Sequence, residues 1–159
     1  MQSFMLRAAA CGSVLFLILT PAVAQPQNQH AMINAGDVTW KDGPPSLPKG
    51  SQMSVLYGDP AKDGIFVMRL KFPADYKIPP HTHPSDEVVT VVSGAVNFGM
   101  GATFDPAKTT AVYAGGVVAM PPGMQHFVQV GQETVVQLST RGPWNISYVN
   151  PAEDPRKSQ

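Results

Sequence analysis

The sequence predicts an all-β fold, an antiparallel barrel or jelly roll of around ten short strands. Sixteen prolines and fourteen glycines punctuate the 159 residues at close intervals. Between them lie short apolar segments, several rich in β-branched side chains. After the first two dozen residues, no stretch sustains a 3.6-residue apolar period over three turns.

The N-terminus is a separate object. Arg7 precedes an apolar run from Ala8 to Leu19, and Pro21-Ala22-Val23-Ala24 closes it with small residues. This is the pattern of a secretory signal peptide over residues 1–24, with cleavage expected between Ala24 and Gln25. The run is short for a membrane span, and no basic stop-transfer cluster follows it. Cleavage would remove Cys11, the only cysteine, so a secreted or periplasmic mature chain would carry no disulfide. About 135 residues would remain, enough for one core without covalent staples.

Four parts are expected: the signal peptide, a leader with a Pro-rich crossing over 25–50, a barrel over 51–150, and a polar tail over 151–159. Within the second, Val38 to Trp40 is a brief strand candidate, and Asp42 to Gly50 is extended by its prolines. Strands are expected at Ser54 to Tyr57, Ile65 to Phe72, Glu87 to Ser93 and Val96 to Met100. They continue at Thr109 to Tyr113, Gly116 to Met120, Gln125 to Val130, Thr134 to Thr140 and Asn145 to Val149. Acidic and basic residues balance at eleven each, which leaves no electrostatic signature for nucleic acid or an anionic membrane.

Three of the four histidines occupy unusual surroundings. In Pro79-Pro80-His81-Thr82-His83, extended backbone sends residues i and i+2 to the same side, so both imidazoles project together. Glu87 opens the next strand and can swing its carboxylate to the same point. Pro121-Pro122-Gly123 turns the chain shortly before His126. Three neutral imidazoles and one carboxylate suit a borderline or hard divalent cation at about 2.0–2.2 Å, with coordination positions left open. His30 lies in the leader and reads as a solvated bystander. Asn145-Ile146-Ser147 spells a glycosylation acceptor inside an expected strand.

These residues make the chain resemble the cupin superfamily, and within it the small secreted single-domain members. The first cupin motif is G-x5-H-x-H-x3-E-x6-G; His81, His83, Glu87 and Gly94 fall on it, and Asp75 stands at its opening glycine. The second is G-x5-P-x-G-x2-H-x3-N; Gly115, Pro121, Gly123 and His126 match, and Val130 replaces the closing Asn. The resemblance covers roughly Phe66 to Ser139 and implies a double-stranded β-helix with a metal inside.

The expected ligands are therefore His81, His83, Glu87 and His126, around one divalent transition metal such as Mn, Fe, Zn or Ni. Phe66, Met68, Tyr76, Phe98, Gln125 and Gln137 are candidates to line a substrate pocket. The ligand set resembles those of Fe(II) dioxygenases and Mn(II) enzymes, which implies oxygenase- or isomerase-like chemistry on a small organic molecule. A non-catalytic module that captures a small ligand or metal in the periplasm fits the same residues. Cupins also pair into dimers, with an N-terminal segment that can cross to the partner; Asp42 to Gly50 could do this or lie across its own barrel.

Overall fold

The computed structural model describes residues 30–157, so the signal-peptide reading, Cys11 and the start of the leader lie outside the described residues. Among the described residues, eleven strands form two antiparallel sheets. In chain order they are β1 (Lys41–Asp42), β2 (Gln52–Tyr57), β3 (Gly64–Phe72), β4 (Lys77–Thr82), β5 (Glu87–Ser93) and β6 (Ala95–Met100). Then follow β7 (Thr109–Tyr113), β8 (Val117–Met120), β9 (His126–Gln129), β10 (Thr134–Gly142) and β11 (Ser147–Tyr148). The six-stranded sheet runs β1-β2-β3-β10-β5-β8 and the five-stranded sheet β11-β4-β9-β6-β7. Sequence neighbours are thus often split between sheets, as in a jelly roll.

Side-chain alternation builds the core. Along β3, Phe66, Met68, Leu70 and Phe72 are buried; β10 opposes them with Val136 and Leu138, and β5 adds Val89 and Val91. Val96, Phe98 and Val128 supply the facing side. Glu87 and His126 occupy inward positions of this same alternation, a carboxylate and an imidazole where period 2 calls for apolar side chains.

Three features depart from the expected strands. Lys77–Thr82 is a strand although it contains Pro79 and Pro80. Proline cannot donate to a ladder, and the β4–β9 register slips between Ile78 and His81 where the two prolines sit. The slip matters for the site: Ile78 pairs with Val128 and His81 with His126, so two residues on β4, Pro79 and Pro80, stand against one on β9, Phe127. That extra residue inverts parity and lets Ile78 and His81 both face inward. In the leader, Val38 to Trp40 is not a strand; pairing begins at Lys41, opposite Met53, and the Trp40 ring lies under the Lys71 ammonium at 4.6 Å. The Asn145 to Val149 candidate shrinks to Ser147–Tyr148, which pair with Thr82 and His81 on β4.

The Pro-rich crossing lies on its own barrel. The Tyr148 hydroxyl donates to the Ser46 carbonyl at 2.7 Å, the Tyr76 hydroxyl donates to the Pro48 carbonyl, and Leu47 between them is buried in the core. Asp75, in the turn from β3 to β4, has φ of 61°, the left-handed region that disfavours side chains. This explains why the cupin motif opens with glycine. Asp75→Gly is expected to raise stability by up to about 1 kcal/mol, and a lower urea midpoint in that variant would contradict this account. The motif's Gly94 is under harder constraint. Its φ is 77°, and a Cβ there would sit 2.5 Å from Thr134 Oγ1 and 2.8 Å from the Glu133 carbonyl.

Candidate metal centre

His81 comes from β4, His83 from the turn just after it, Glu87 from the first position of β5, and His126 from the first position of β9. The fold brings the histidines to one point: the nitrogens they can offer all lie within 4.8 Å of one another, so the three could hold a metal ion. Glu87 Oε2 lies 3.4 Å from His83 Nε2. All four are nearly inaccessible, at 2%, 7%, 5% and 1% exposure in chain order. Four polar groups buried together in an apolar barrel are costly unless something pairs with them.

The backbone orients every ring. Nδ1 of His81 donates to the Pro79 carbonyl at 2.7 Å, Nδ1 of His83 to the Asn145 carbonyl at 2.8 Å, and Nδ1 of His126 to the Met124 carbonyl at 3.0 Å. A carbonyl can only accept, so each Nδ1 carries the proton and each Nε2 keeps its lone pair. For His81 and His126 the acceptor lies two residues earlier in the chain; for His83 it lies far away, next to Trp144. Trp144 itself donates its indole N–H to Glu87 Oε1 at 3.1 Å and stacks on His83 with ring centroids 5.6 Å apart. Consecutive residues after β10 therefore hold two of the four polar groups.

Electrostatics follow from burial. The His81 imidazolium is disfavoured well below its usual range, first by burial and then by the neighbouring His126 and His83. Burial likewise lowers His83 and His126, while hydrogen bonds to carbonyls oppose it. Glu87 is raised, mainly by burial, against the stabilising Trp144 donor. Neutral imidazoles ready to coordinate and a carboxylate short of positive charge are the donor set a divalent cation satisfies.

A cavity of about 40 Å³ adjoins these groups. Phe98, one of the expected pocket residues, lines it. Phe66 and Met68 are fully buried on the inward face of β3, outside the cavity wall. Tyr76 is a core residue stacked on Phe72 at 4.9 Å, with its hydroxyl committed to Pro48. Gln125 is exposed, and Gln137 is turned outward on β10, accepting from Arg69 Nε at 3.2 Å. The wall instead includes Leu47, Leu70, Val96, Trp144 and Ile146, which the motifs do not reach. Trp144, following Gly142-Pro143 and one of only two tryptophans, carried the clearest signal in the sequence that could have been read.

The two-sheet jelly roll and its inward histidines define a class, and the family comparison agrees. The family described as Cupin matches residues 48–148. The chain belongs to that family. Among curated proteins it is 37% identical over 87 residues to germin-like protein 9-2 of Oryza sativa subsp. japonica, covering 52% of this chain and 41% of that protein. It is 30% identical over 95 residues to germin-like protein subfamily 1 member 7 of Arabidopsis thaliana, covering 57% and 42%. The chain thus spans less than half the length of these relatives. Among solved structures, the polyketide cyclase RemF from Streptomyces resistomycificus superposes with a TM-score of 0.66 at 19% identity, over 81% of this chain and 92% of that one. KdgF from Halomonas sp. gives 0.56 at 17% identity, over 71% and 94%. These two likenesses concern the fold.

Proposed function

We propose that this cupin is an exported metalloprotein that holds one divalent transition metal through His81, His83, Glu87 and His126 and acts on a small organic molecule. The observation that carries this reading is the convergence of three backbone-locked imidazoles beside a buried carboxylate. Nitrogen and oxygen donors of this kind accept Mn, Fe, Co, Ni or Zn. When bound, such a metal supplies Lewis acidity and, for iron or manganese, a place for dioxygen.

The chain's own contribution is orientation and exclusion of water. Carbonyls of Pro79, Asn145 and Met124 fix the imidazole tautomers, Trp144 fixes one Glu87 oxygen, and the apolar wall keeps bulk solvent out. Among the described residues, no acid or base other than Glu87 and the histidines lines the cavity. Loading with Fe(II) or Mn(II) and measuring oxygen uptake with small oxygenated organics tests the enzyme. Stoichiometric metal with no turnover would mark a binding module instead. Export predicts a mature protein that begins at Gln25 by N-terminal sequencing.

Metal content should fall with pH. Coordination needs neutral imidazoles, and burial already holds their protonation below the ordinary value of about 6.5. The metal is therefore retained at neutral pH and released as pH drops through the lowered histidine pKa values, not above them. Metal content followed by elemental analysis during an acid titration checks this, and a full equivalent retained once the three histidines are protonated would contradict the ligand set. Trp144→Phe keeps the ring against His83 but removes the donor to Glu87, and should weaken metal affinity about 10–100-fold. Isothermal titration with Mn(II) reads this directly; unchanged affinity would assign Trp144 to packing alone.

A further inference from the structure

The wall of the cavity bears on the charge of what can enter it. Twelve of its sixteen lining residues are apolar, Leu47, Phe72, Leu138 and Ile146 among them, and the other four are the three histidines and Glu87. Among the described residues, no lysine, arginine, amide or hydroxyl side chain lines it. The one polar group the apolar residues bring, the Trp144 indole N–H, is already used on Glu87. Arg156, which reaches the Ile146 carbonyl from outside at 3.0 Å, is paired with Asp154 at 2.8 Å.

A divalent cation held by three neutral imidazoles and one carboxylate carries a net charge of +1. One monoanion brings the centre to neutrality. A dianion leaves a surplus negative charge in apolar surroundings with no cation or spare donor to meet it, and an uncompensated buried charge is strongly disfavoured. We propose that the open positions of this centre select small monoanionic or neutral oxygen ligands and reject dianions. The inference rests on the metal reading above, and adds to it a ligand class set by the wall and not by the metal.

Size acts alongside charge. Free space of about 40 Å³ admits a few water-sized groups, at roughly 10–15 Å³ each. Leu47 closes one part of the wall from the Pro-rich crossing, held there by Tyr76 and Tyr148 through the flanking carbonyls. Truncating Leu47 therefore widens the cavity without changing its charge, which separates the two effects.

The test uses Co(II)-loaded protein, whose visible absorption reports ligand exchange. Oxamate and oxalate have nearly the same shape and differ by one charge. In water the dianion is the stronger chelator of divalent ions, so a protein that prefers the monoanion must invert the solution order. Titrations of wild type and Leu47→Ala are expected to show oxamate binding at least tenfold tighter than oxalate in both, with tighter binding of each in the variant. Oxalate binding equally well or better in either protein would overturn the proposal, as would failure of both ligands to perturb the spectrum of the widened variant. Failure of wild type to take up one equivalent of Co(II) would instead remove the metal reading, and this inference with it.

Discussion

Protein carrying His83→Ala is expected to purify folded and to bind no stoichiometric metal. The loss goes beyond one donor of four. His83 Nδ1 satisfies the Asn145 carbonyl, its ring stacks against Trp144, and its Nε2 lies 3.4 Å from Glu87 Oε2. Without the ring, Trp144 loses the surface it rests on, and that same indole aims Glu87. Two donors are therefore disturbed by one substitution. The barrel should survive, because His83 follows β4 and makes no ladder bond that defines the β3–β10–β5 core. Elemental analysis alongside circular dichroism decides the matter. Full metal content in a folded variant would refute the ligand assignment, and His81→Ala offers an independent check from within β4.

Phe127→Ala should destabilise the protein by about 3–5 kcal/mol, read as a lower urea midpoint with an unchanged slope. Phe127 is fully buried, yet it lies on the opposite side of its strand from the inward His126 and Val128. Phe104 covers it with ring centroids 4.9 Å apart. Its bed is Gly99, the residue directly opposite on β6. A Cβ at Gly99 would fall 2.0 Å from the Phe127 ring, so Gly99→Ala must push the ring out and should itself cost about 1–3 kcal/mol. Once the ring is gone, the added methyl has room. The double variant should be clearly less damaged than the two losses added together, and strict additivity would show that the two sites do not share this contact. The pair matters for the centre as well, since β9 carries His126 immediately beside the ring.

Much of this was written in local sequence. Gly94 and Asp75 mark turns whose backbone angles glycine meets best, and both occupy glycine positions of the first cupin motif. His81, His83 and Glu87 are within seven residues of one another, close enough for extended backbone and one turn to bring them together. His126 could be tied to them only through the motif's register. The apolar alternation on β3, β5 and β10 was likewise readable, because a period of 2 is a property of a few consecutive residues.

What escaped the sequence depends on contacts between distant segments. Strand β4 hid behind two prolines, and only its pairing with β9 shows the register slip that turns His81 inward. Tyr76 and Gln137 have the chemistry of pocket residues, yet the Pro-rich crossing claims one hydroxyl and Arg69 claims the other side chain. Trp144 and Leu47 lie 57 residues after and 40 before Glu87, and no local pattern tells which loops fold over a barrel end. Residue identity and spacing thus determined the fold class and singled out the three histidines that the fold brings together. Long-range packing alone decided which groups support those donors and how apolar and narrow the space beside them is, because such contacts form only when strands remote in sequence have closed into two sheets.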